Sequence, residues 1–135
     1  MDLKTDAPGW VKFNPVDDVN VEIRRLSLEE SLDLNAVLES KEETVNGKVE
    51  LMIILPPDKA KDCFKKYVRN IEGLKVNGID IKSPAEILDP SMSNLPELQV
   101  LYGMCIKKFF GMNVMQEDET KNLNGPSEKN GSAPS

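Results

Sequence analysis

Residues 56–88, PPDKAKDCFKKYVRNIEGLKVNGIDIKSPAEIL, decide how the chain is read. Apolar residues fall at Ala60, Cys63, Phe64, Tyr67, Val68 and Ile71, the i, i+3, i+4, i+7 spacing of a helix lying on a core. Pro56-Pro57 stops any helix arriving from upstream and suits the first turn of the next one. Gly73 follows the last apolar residue, where a helix end tolerates a residue with positive φ. Leu74-Lys75-Val76 and Ile79-Asp80-Ile81 then alternate around Asn77-Gly78, the signature of a tight hairpin. Ser83-Pro84-Ala85-Glu86 reads as a capping box opening a short helix that ends before Asp89-Pro90.

The side of the first helix away from the stripe carries Lys59, Lys61, Lys65, Lys66 and Arg69. Such a face either grips phosphates or is simply solvated. No aromatic residues interleave with it and the chain is acidic overall, so solvation is the reading adopted and no nucleic-acid partner is expected.

Working outward to the N-terminal side, Trp10-Val11-Lys12-Phe13 is a short run ended by Pro15, suited to an edge strand, with Trp10 and Phe13 covering the core. Asp17-Asp18 makes a turn. Val19, Val21 and Ile23 alternate with polar residues as in a half-buried strand. Ser27 and Glu30 form another capping box, starting a helix that uses Leu28, Leu32, Val37 and Leu38 and dissolves over 39–43. Asn46-Gly47 is a turn. Residues 49–55, VELMIIL, read by length as a buried strand, with a helical turn as the alternative.

On the C-terminal side a long helix begins at 95–97 and runs to about 115. Leu98, Leu101, Tyr102, Cys105, Phe109 and Met112 form its core stripe. Val100, Met104, Ile106, Phe110 and Met115 lie elsewhere on its circumference, leaving only Lys107 and Lys108 to break the apolar surface. A helix apolar nearly all round is either central or used twice, once for its own core and once for a partner. Those five residues are the candidate partner-binding surface. Residues 116–135 are poor in apolar side chains and rich in Asn, Ser, Gly and Pro, which predicts a disordered tail.

The chain has 135 residues, a net charge of −6 and no histidine. Lack of histidine excludes His-based triads and His-ligated zinc. No cofactor, metal or catalytic constellation is expected, and the chain is read as non-enzymatic. Cys63 and Cys105 are far apart on apolar helix faces and read as buried free thiols. No apolar run follows Met1-Asp2-Leu3-Lys4 and no segment is long enough to span a bilayer, so the expected location is cytoplasmic, with no membrane partner. The expected fold is α+β and mainly helical, with three to four helices, a few short N-terminal strands and one small β-hairpin. Residues 1–115 would form a single globular domain and 116–135 a tail.

Three pieces carry a family resemblance. VEIRRLSLEE at 21–30 resembles the early strand-then-helix signature of the tail assembly chaperones of long-tailed bacteriophages and prophages. VRNIEGLKVNGIDI at 68–81 is similar to their helix, Gly-Leu and hairpin. Residues 83–88 with 96–106 are similar to their short capped helix and following Pro-x-Leu helix. Segment 49–55 departs from the mostly helical pattern. The resemblance implies binding of tape-measure and tail-tube proteins before the tube polymerises, with no catalytic residues, in a host cytoplasm if prophage-encoded. The reading that stands beside it is a non-enzymatic homo-oligomeric structural or interaction subunit.

Overall fold

The structure, a computed structural model, describes residues 1–3, 9–92 and 94–114. Along the chain come β1 (Trp10–Val16), β2 (Val19–Arg24), α1 (Leu28–Val37), β3 (Glu39–Val45), β4 (Lys48–Ile54), α2 (Pro57–Tyr67), β5 (Val68–Glu72), β6 (Lys75–Val76), β7 (Ile79–Asp80), α3 (Pro84–Ile87), a 3-10 turn at Pro90–Met92 and α4 (Pro96–Asn113). The fold is α+β. It carries more strand than expected: a three-stranded antiparallel sheet, β1-β2-β5, and two separate hairpins, β3-β4 and β6-β7.

Strand β2 is central, and its alternation sets the layers. Val19, Val21 and Ile23 are buried, while Asn20, Glu22 and Arg24 turn to the other face. On β1, Val11 and Phe13 lie opposite Ile23 and Val21, whereas Trp10 and Lys12 lie opposite Arg24 and Glu22. Trp10 is therefore on the outer face rather than over the core, with the Arg69 guanidinium 3.9 Å from its ring centroid and that of Arg24 at 5.7 Å. Pro15 does not end β1. The strand passes through it at a bulge between Phe13 and Val16, which Asn14 bridges by donating from Nδ2 to the carbonyls of Val16 and Val19.

Helices α2 and α4 cover the inner face. Ala60, Cys63 and Phe64 of α2 are buried, as are Leu98, Leu101, Cys105 and Phe109 of α4. Two ring pairs join the helices: Phe64 against Tyr102, edge-on at 4.9 Å, and Tyr67 against Phe109, stacked at 5.4 Å. Asn113 ties the end of α4 to the sheet. Its Oδ1 accepts from the Leu26 N–H at 2.9 Å, and its Nδ2 donates to the carbonyl of Arg24 at 3.1 Å.

The helix expected to reach Ile71 stops at Tyr67, and Val68 begins a strand paired with β2. A bulge explains the misreading. Between the pairs Glu22↔Arg69 and Asn20↔Glu72, β5 holds one residue more than β2, and Asn70 takes it up at φ 52°. Val68 and Ile71 thus stay on the buried face at a separation of three, a helix-like spacing produced by a bulged strand. Their burial also accounts for the β-branched pair, which favours extended backbone.

Two further expectations change. Residues 39–43 do not dissolve into a loop but belong to β3, and 49–54 of the next segment pair with it in β4. That strand is an exposed arm rather than a buried one, with Val49 67% and Leu51 64% accessible. Only its root is anchored, through Ile53 and Leu55 against the core. In α1 the capping box forms as read, the Glu30 N–H donating to Ser27 Oγ and the Ser27 N–H to Glu30 Oε1. Leu28 and Leu32 are exposed, however, and Leu34 is the buried residue. The expected tail at 116–135 lies outside the described residues.

Gly73 has positive φ as anticipated, but it faces the β1-β2 turn instead of capping a helix. At φ 83° an added Cβ would stand 1.9 Å from the Asp18 carbonyl oxygen, backbone that cannot step aside. Gly78 has a similar φ of 78° with nothing within 4 Å. Both substitutions bear the conformational strain and only one bears the clash. Urea unfolding should show Gly78→Ala losing about 1 kcal/mol and Gly73→Ala losing more than about 3 kcal/mol. Equal losses would mean that the close approach to Asp18 does not hold.

Candidate functional site

Eighteen residues of α4 present three surfaces. Toward the sheet Leu98, Leu101, Cys105 and Phe109 are buried, while Tyr102 and Met112 of the expected stripe are half-buried. Val100 and Met104, four residues apart and so on one flank, are 55% and 40% accessible. Ile106 and Phe110 share a different flank, since six residues from Val100 to Ile106 is about one and two-thirds turns. Both are half-buried and packed against the core. The candidate residues thus divide into an exposed pair and a half-buried pair. Met115 lies outside the described residues.

The exposed flank borders a groove of about 430 Å³ between α4 and β1, lined by Phe13, Met104, Lys107, Lys108, Gly111 and Met112. Gly111 has nothing within 4 Å of where a Cβ would stand, so the floor is open there. Lys108 Nζ is 5.6 Å from the Phe13 ring, putting a cation over the aromatic wall. Methionines are unbranched and polarizable and adapt to the shape of what they meet. The combination is an apolar trough with a basic rim, built on rigid elements.

Two other surfaces differ from it. A concavity of about 210 Å³ lies at the other end of α4, among Ile87, Leu88, Met92, Leu98, Gln99 and Tyr102. The outer sheet face carries the Trp10 stack, where Glu22 Oε1 accepts from Arg69 Nε and from Asn70 Nδ2, both at 2.8 Å. These charges are engaged with one another, as expected of a solvated structural face.

Reactive chemistry is not concentrated anywhere among the described residues. No three metal-ligating side chains converge. Burial pushes the Cys105 thiol up to about 12 and also raises that of Cys63, which lies beside Asp62, so neither presents a ready thiolate. No helix among the described residues is long and apolar enough to cross a membrane.

The surface missed by sequence reasoning is the β3-β4 arm. Its Asn46-Gly47 turn was legible, and both residues have positive φ, as a two-residue hairpin turn requires. The partner strand, ESKEETV, hid the hairpin because it is polar and mostly charged.

Comparison of the chain with protein-family models, with curated proteins and with solved structures gives no match. Its class therefore rests on its own architecture: a small α+β protein with an apolar groove on its longest helix.

Two outcomes check this surface. Val100→Glu with Met104→Glu should change stability by less than about 0.5 kcal/mol per site, whereas Leu101→Glu should cost at least about 3 kcal/mol by burying an unpaired charge. Thermal melts that fall equally for both would show the exposed flank to be internal.

Acid should also weaken the fold. Arg69 holds the Glu22 carboxyl below its ordinary 4.5, the Ser27 backbone N–H does so for Glu30, and the N–H groups of Lys82 and Ser83 do so for Glu86. A folded value below the unfolded one means that the unfolded chain takes up protons first as pH falls. This stabilisation is complete above the ordinary value and lost as pH drops through the folded values. Urea midpoints should be flat from about pH 7 to 5.5 and decline below about pH 4.5, with a shallower decline in Glu22→Gln.

Proposed function

We propose that this chain is a non-enzymatic, client-binding protein of the phage tail-assembly-chaperone type, acting in the cytoplasm. Its clients are the tape-measure protein and tail-tube subunits, held before the tube polymerises. The observation that carries the reading is the groove of Phe13, Met104, Gly111 and Met112 beside the exposed Val100, because a rigid apolar trough suits the apolar face of a helical partner. A tape-measure protein is long and helical, so its holder benefits from adaptable methionine contacts rather than one exacting pocket. A net charge of −6 favours keeping such a complex in solution and disfavours nucleic acid as the partner.

Of the pieces that carry the family resemblance, 21–30 falls on β2 and the capped start of α1, and 83–88 with 96–106 on α3 and α4, whereas 68–72, read as the end of a helix, is strand β5 ahead of the β6-β7 hairpin. The homo-oligomeric reading is favoured by a separate observation, the exposed arm of Val49 and Leu51.

Co-expression with a tape-measure-type client tests the reading. The protein should keep the client in the soluble fraction. Val100→Glu with Met104→Glu should cut the soluble client at least about tenfold, a loss of about 1.4 kcal/mol of binding, while its own melt is unchanged. Full client solubility with the charged variant would take the function away from this groove.

A further inference from the structure

We infer that the β3-β4 arm of one copy docks in the α4 groove of a second copy. The inference rests on reading the groove as a protein-binding surface and adds the segment that fills it.

The arm's pairing defines its faces. Val49, Leu51 and Ile53 share one face of β4, opposite Thr44, Glu42 and Ser40 of β3. Ile53, at the root, packs against the core. Val49 and Leu51 continue the same face outward and are exposed. This apolar surface therefore starts inside the domain and runs out beyond it. Glu42, beside Leu51, is the one charged residue on that face.

The groove is the complement in both respects. Phe13, Met104 and Met112 give it apolar walls, Gly111 leaves its floor open, and Lys107 and Lys108 give it positive charge. The other basic surface, on α2, lacks such walls: Lys59, Lys61, Lys65 and Lys66 are exposed, and its apolar residues face the core. Among the described residues an acidic apolar arm is thus matched by this groove, and every copy carries both halves. A two-fold arrangement fills both grooves and closes, whereas a one-way arrangement leaves an arm free and continues to grow.

Charge reversal in mixtures gives a test that simple loss of folding cannot imitate. Sedimentation velocity of the wild type should show the mass at least doubling as concentration rises. Glu42→Lys alone should remain monomeric, its arm repelled by the lysines of an identical groove. Lys107→Glu with Lys108→Glu should likewise remain monomeric. Mixed in equal amounts, the two variants should associate again, because each arm then meets a groove of opposite sign. Leu51→Asn, at an exposed position, should weaken wild-type association at least about tenfold.

A wild type that stays monomeric, single variants that associate like the wild type, or a mixture that stays monomeric would each overturn the inference. Client solubilisation by monomeric Glu42→Lys separates the two proposals. If it persists while self-association is lost, the arm is the device of oligomerisation and the groove still receives clients. If Met104→Glu abolishes client binding but leaves self-association untouched, the arm docks elsewhere and this inference fails while the client reading stands.

Discussion

Covering the inner face of β2 is the constraint from which the arrangement follows. Val21 and Ile23 are almost wholly buried at the centre of a sheet only three strands wide. Among the described residues no second layer of strands closes this sheet, and two helices supply the cover. Helix α2 passes directly into β5 at Tyr67–Val68, which fixes its position over the sheet without an intervening loop. Helix α4 then packs beside α2 through the Phe64–Tyr102 and Tyr67–Phe109 ring pairs, and Asn113 secures its far end. The close passage of Gly73 under Asp18 brings the chain out of β5 against the β1-β2 turn.

Once that face is covered, little apolar surface remains to satisfy the rest of the molecule. A small domain has a high ratio of surface to volume and cannot bury every apolar side chain its elements carry. Scattered exposed apolar residues are normal, but grouped ones mark contact surfaces. Here they are grouped on the α4 flank at Val100 and Met104, on the arm at Val49 and Leu51, and on α1 at Leu28 and Leu32. The functional proposals rest on the α4 and arm groupings, which lie beside a groove and on a projecting hairpin, since the carboxylates with depressed values are occupied in helix caps and cross-strand bonds and the thiols are buried.

Much of the scaffold was legible because its signals are local. The Ser27–Glu30 box, both Asn-Gly turns, the alternation of β2 and the buried positions Ala60, Cys63 and Phe64 of α2 and Leu98, Leu101, Cys105 and Phe109 of α4 form where the residues indicate. The parts that were not legible depend on pairing between distant strands. Val68 and Ile71 match a helix by spacing alone, and only the bulge at Asn70, set against β2, reveals them as strand residues. Trp10 is placed by its register opposite Arg24, which the run WVKF does not specify. VELMIIL was readable as a strand, yet its exposure follows from a partner, ESKEETV, whose polar composition gives no inward face. On α4 the excess of apolar residues was evident, but its division between an exposed flank and a half-buried one follows from the neighbours on either side.

If, as proposed, a protein partner covers the α4 groove, a single engineered thiol measures that cover directly. Both native thiols are buried, and Cys105 is raised to about 12, so Met104→Cys introduces the one readily alkylated sulfur among the described residues. Its alkylation rate should be high in dilute protein and fall at least about tenfold when a client is added or the protein is concentrated, as a covered site requires. A rate unchanged by client and by concentration would contradict the account and leave the groove as bare surface.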